Sequence, residues 1–102
     1  MNGIVKKILD AYKDEGYSSF GEVLNNIQDL FEDVASKAEW REFLRKSNKD
    51  AEKTEGSDGM LINGVYFDWK EFHTRRNEII IAFLGYFNDD QLSRIYKRLQ
   101  GD

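Results

Sequence analysis

His73, Arg75 and Arg76 stand close together in the stretch DWKEFHTRRNEIIIAFLGYF, residues 68–87, and are the side chains best suited to chemistry. His73 is the only histidine, and the chain has no cysteine to pair with it as a nucleophile. The serines Ser18, Ser19, Ser36, Ser47, Ser57 and Ser93 fall at expected caps, loops or helix faces, none in a nucleophile-elbow context. No Glu-x-x-His or His-Glu-x-x-His pair is present, which removes zinc-peptidase and di-iron carboxylate chemistry. A calcium loop registered on Gly59 would need carboxylates where Thr54 and Val65 stand. Neither glycine-rich nucleotide motif occurs. The expectation is therefore a protein that is not an enzyme, with no catalytic residue, no metal ligand set and no cofactor.

What remains is binding chemistry, and three groups of residues could supply it. Trp69, Phe72, His73 and Arg76 combine the aromatic and arginine types enriched at interface hot spots. On a helical wheel Arg76 lies at the centre of an apolar face, so it must either form an internal ion pair, with Asp10 or Asp14, or belong to an exposed patch. Glu22, Asn26, Asp29 and Asp33 recur at i, i+4, i+7 and i+11, which places an acidic and amide surface along one side of a helix. Such a surface can steer and hold a basic partner. Lys37, Arg41, Arg45 and Lys49 recur every four residues as a basic ribbon that could track phosphates. Its bland counterpart is a solvated face with internal ion pairs, Glu42 standing four residues before Lys46.

Net charge weighs between these groups. The chain of 102 residues carries −4, and residues 1–68 hold 14 acidic against 9 basic side chains, while residues 69–102 hold 5 against 6. The acidic excess is densest between Asp10 and Asp33, which argues against a general phosphate-backbone binder. The expected function is a small intracellular protein-binding module or inhibitor that occludes a basic surface of a partner through an acidic helix face. Immunity proteins, antitoxins and phage-encoded inhibitors are of that physical type, an accessory protein of bacteria or phage. The alternative is a nucleic-acid-binding regulator using Lys37, Arg41, Arg45 and Lys49 with Arg75 and Arg76. Homodimerisation is left open.

These groups need elements to position them. Length allows one domain with a real core, residues 1–102, and 40% hydrophobic with 33% charged residues is a globular balance. The longest apolar run, 79–85, is too short for a membrane span. The N-terminal MNGIVKKILDAYKDE lacks the pattern of a secretory signal. A cytoplasmic location is expected.

The fold class expected is all-α with a minor β-hairpin, an irregular bundle of four or five helices. Ile4, Val5, Ile8, Leu9 and Tyr12 mark a first helix over about 3–15, with Gly16 as its stop. Ser19 and Glu22 form a capping box that opens a second helix, whose stripe is Phe20, Val23, Leu24, Ile27, Leu30, Phe31 and Val34. Near Ser36 the stripe slips, and Ser36 with Glu39 opens a third helix of about 37–50; one continuous helix is the alternative. Residues 48–58 carry no large apolar side chain and read as a mobile polar loop.

Residues 60–67 read as a hairpin about Asn63-Gly64, the preferred pair for a type I′ turn. Trp69 to Phe87 read as one central helix, capped by Asp68 and Glu71, with apolar residues most of the way around it. Asn88 with Gln91 opens the last helix, striped by Leu92, Ile95, Tyr96 and Leu99 and ended by Gly101.

Overall fold

The computed structural model describes residues 3–13 and 20–101, the Phe20 side chain excepted. Its elements run α1 (Gly3–Lys13), α2 (Phe20–Val34), α3 (Lys37–Lys53), β1 (Gly59–Ile62), β2 (Val65–Asp68), a 3₁₀ turn (Trp69–Glu71), α4 (Arg76–Leu84) and α5 (Asp89–Leu99). This is the mostly helical architecture with a small antiparallel hairpin that the patterning implies. The expected Gly16 stop and the Ser19 start of the second helix lie outside the described residues.

Local chemistry sets the element boundaries. Ser36 caps α3 and Glu39 reaches back to its backbone N–H, so α2 and α3 are separate helices. Asn88 and Gln91 do the same for α5. In the hairpin, Ile62 pairs with Val65, leaving Asn63 and Gly64 as a two-residue loop. Both have positive φ, 47° and 80°, which the type I′ turn requires and Asn-Gly tolerates.

The two N-terminal caps are joined. Gln91 Nε2 donates to Glu39 Oε2 at 3.0 Å, so the third residue of one capping box holds the third residue of the other. Arg94 seals the junction: its guanidinium donates to Glu39 Oε1 at 3.0 Å, to Asp90 at 2.9 Å and to the Val34 carbonyl at 2.8 Å. One side chain thus ties the end of α2 to the starts of α3 and α5.

The core gathers on Phe43. Its ring lies 5.7 Å from Phe31 of α2, 5.9 Å from Phe83 of α4, and 5.8 and 5.2 Å from Tyr86 and Phe87. Ile79, Ile80, Phe83 and Leu84 are buried, and Ile81 and Ala82 are partly buried against the same core. α4 packs against α1, α2 and β1, and α5 packs against α1 and α2, so the core is shared among the helices and α4 supplies its most apolar segment.

Its expected length needs correction. No continuous helix runs over 69–87. Asp68 caps only the 3₁₀ turn, accepting from Lys70 N–H rather than from Glu71. The chain then turns through 72–75 before α4 starts at Arg76. The reason is packing: Phe72 must reach Trp69 (4.6 Å between ring centroids) and Phe67 of β2 (6.5 Å), which holds this segment against the hairpin. At the other end the chain leaves the α-helical pattern through Tyr86 N–H to Phe83 and Phe87 N–H to Leu84 bonds, so that both rings enter the aromatic cluster. Gly85 permits this, since a Cβ there would stand 2.4 Å from the Asn63 side chain.

The polar loop is also shorter than expected. α3 continues to Lys53, so residues 48–53 are helical and only 54–58 form the connection to β1. Solvent-facing helix ends lack apolar markers, and composition alone reads them as loop.

Candidate functional site

α2 has no lysine or arginine, so its whole polar surface is acidic or amide. The structure divides that surface by what each side chain meets. Asn26 Oδ1 accepts the Tyr12 hydroxyl of α1. Asp33 lies 3.6 Å from Arg98 of α5. Asn26 is half-buried and committed to α1, while Asp33 stays exposed with Arg98 on one side, so the expected set Glu22, Asn26, Asp29 and Asp33 is not one uniformly open face. The exposed stripe is Glu22, Asn25, Asp29 and Glu32, at i, i+3, i+7 and i+10, with Asp33 exposed beside it.

This stripe has an apolar flank. Leu24, Asn25 and Gln28 of α2 form one wall of a groove of about 150 Å³, and Met60, Leu61 and Ile62 of β1 form the other. Phe83 and Tyr86 also line it. Leu61 faces Tyr66 across the ladder, so apolar surface continues from the groove on to the outer face of the hairpin. Val65, Tyr66 and Trp69 are the large hydrophobic side chains left most open among the described residues, at 42, 46 and 51% exposure. Asn25 is the member of the exposed stripe that lines the groove, so the acidic helix α2 lies alongside this exposed apolar and aromatic surface.

The expected aromatic-and-arginine patch is only partly assembled. Trp69 and His73 are exposed, but Phe72 is 6% exposed and belongs to the core. Arg76 is half-buried and its guanidinium donates to Asn77 Oδ1 at 3.2 Å. Among the described residues no carboxylate pairs with it, Asp10 included; Asp14 lies outside them. The arginine that forms ion pairs is its neighbour. Arg75 meets Glu71 at 3.0 Å and Glu78 at 2.6 Å while lying 4.7 Å over the Phe67 ring. These carboxylates hold its pKa above the ordinary arginine value. Hydropathy periodicity does not distinguish adjacent arginines when the helix starts at neither expected residue.

The basic ribbon is rearranged as well. Lys37, Arg41, Arg45 and Lys49 are all exposed. Arg45 and Lys49 join Lys46 and Lys53 around an open cleft of about 300 Å³, against Asn63 and Gly64 of the hairpin turn. Lys37 and Arg41 do not line it. Lys46 lies off the four-residue repeat, and Lys53 continues it on the helix only because α3 runs three residues further than expected.

Tyr86 stands between groove and cleft and lines both. Its hydroxyl donates to Asp50 Oδ2 at 2.6 Å and accepts from Asn63 N–H at 2.9 Å. Burial, reinforced by the bond to Asp50, pushes the phenol well above its ordinary pKa, so it stays a neutral donor. No group of three or more His, Cys, Asp or Glu among the described residues is placed to hold a metal ion. None of their helices is long and apolar enough to cross a membrane. No family model, curated protein or solved structure matches the chain.

Proposed function

We propose that this protein is a small protein-binding module or inhibitor that covers a basic surface of its partner with the open stripe of α2 and the apolar strip beside it. Binding rather than catalysis is the reading, and a cysteine-free chain suits a cytoplasmic setting. The observation that carries it is one juxtaposition: Glu22, Asp29 and Glu32 on a helix without a basic residue, next to a groove that leads through Leu61 to Tyr66. Charge of one sign accelerates encounter with a surface of the other, and aromatic side chains beside it supply short-range affinity. Trp69 directly follows β2 and is exposed, as is His73.

Partners retained by the immobilised protein from extracts of its source cells, followed by association kinetics on the purified partner, test the proposal. Asp29→Lys with Glu32→Lys should slow association about tenfold or more at low salt and flatten its salt dependence. Tyr66→Ser should act mainly on dissociation. Loss of binding on reversal of Arg45 and Lys49, with the α2 variant binding normally, would overturn the proposal.

The second reading is the nucleic-acid regulator, and the gathering of Arg45, Lys46, Lys49 and Lys53 at one cleft favours it. Against it, Arg75 is engaged by two carboxylates and Lys37 and Arg41 stand apart. Duplex DNA binding that falls steeply with salt would put this reading first.

A further inference from the structure

We infer that the cleft between the C-terminal half of α3 and the hairpin turn is a binding site for a small, multiply charged phosphate anion of the polyphosphate type. Four cations, Arg45, Lys46, Lys49 and Lys53, and one carboxylate, Asp50, line it. That is a local excess of three positive charges in a chain whose net charge is −4. The lining residues of α3 span one helix face, about 12 Å from Arg45 to Lys53 at 1.5 Å per residue. The cleft's volume of about 300 Å³ is at the lower end for small-molecule sites, which suits a compact ligand.

Folding alone does not account for this arrangement. Arg45, Lys49 and Lys53 stand at i, i+4 and i+8, where like charges repel and weaken a helix. The helix dipole favours cations only in the last turn, so it can support Lys53 but not Arg45 or Lys46. Arg45 is held by Glu42, with contacts of 2.6 and 3.0 Å, and Glu42 also lies in the field of Lys46. Among the described residues Lys46, Lys49 and Lys53 form no ion pair. The carboxylate inside the cleft is occupied: Asp50 accepts the Tyr86 hydroxyl, which is itself fixed by Asn63 N–H. Unpaired ammonium groups around a cleft with a fixed polar floor favour an anion that can meet several of them at once. A single phosphate reaches too few; linked phosphates can span the face. The site is separate from the α2 surface, with Tyr86 between them.

Titration of the full chain with sodium tripolyphosphate, followed by calorimetry and amide chemical shifts, tests the inference. Expected is saturable binding of one equivalent, with shifts confined to residues 45–53 and 62–64. Orthophosphate should bind at least about tenfold more weakly. Lys49→Gln with Lys53→Gln should weaken tripolyphosphate about tenfold or more, while Asp50→Asn, which keeps an acceptor for Tyr86, should tighten it several-fold by removing a like charge. Should the lysine variant lose its fold, Asp50→Asn alone decides. Absence of saturable binding, equal affinity for orthophosphate, indifference to both substitutions, or tighter binding of a 20-base-pair DNA duplex through the same amides would each overturn it.

Discussion

α2 and α3 bury the same kind of face and expose opposite ones. Phe31 of α2 and Phe43 of α3 meet at 5.7 Å and share Phe87, so both helices are anchored in one aromatic cluster. Outward, α2 carries four acidic residues and no basic one, whereas α3 carries six basic and four acidic. The buried faces decide where the helices lie; the outer faces then differ at a cost of no more than a few tenths of a kcal/mol per like-charge pair, about 0.2–0.5. A substitution should therefore act on stability or on binding according to the face it touches, whichever helix it is on.

The buried faces offer the largest test. Phe43→Ala and Phe31→Ala should each cost about 3–5 kcal/mol in denaturant unfolding, since each empties an aromatic-sized space against several rings. That is a large part of the total stability of a domain this size. A loss below about 1 kcal/mol at either position would break the claim that both helices rest on one cluster.

Next comes the junction where the helices meet. Arg94→Ala removes ion pairs to Glu39 and Asp90 and the bond to the Val34 carbonyl, and should cost about 1–3 kcal/mol. Glu39 sharpens this through pH. The Arg94 guanidinium, the Ser36 N–H and Gln91 hold its carboxyl well below the ordinary glutamate value of 4.5. A carboxylate depressed in the folded state stabilises above that value and loses its contribution as pH falls below it. Acid unfolding curves should show this loss in the wild type and less of it in Glu39→Gln. Equal acid sensitivity in the two would remove Glu39 from the account.

The outer faces should show the smallest effects. Asp29→Asn and Lys49→Gln should each leave the free energy of unfolding within about 0.5 kcal/mol of wild type, although they lie on surfaces of opposite charge. A marked loss at one and not the other would mean that one outer face has a structural role.

Much of this architecture is legible in the sequence because its signals are local. Ser36 with Glu39, Asn88 with Gln91, and Asn63 with Gly64 each act within four residues, and each stands where expected. What sequence misses depends on neighbours. The break before Arg76 follows from Phe72 packing on Phe67 and Trp69, a contact made by the hairpin. The extension of α3 to Lys53 has no apolar residue to announce it, and with it went the composition of the basic cleft. The membership of the exposed stripe on α2 depends on Asn26 meeting Tyr12, and Asp33 at its edge borders Arg98. Neither partner is identifiable until α1 and α5 are in place.

The linked caps bear on which lengths of chain this fold tolerates. Because Glu39 and Gln91 hold each other, the junctions before α3 and before α5 share one register. One residue added within either first turn would rotate its capping side chain by about 100°, away from the other helix and from Arg94. A lengthening at 36–39 would thus be felt at 88–91, 52 residues away in sequence. Insertions should be tolerated at 55–56 in the connection to β1, ahead of the Asp58 carbonyl that accepts the Trp69 N–H, and disfavoured at these two short junctions.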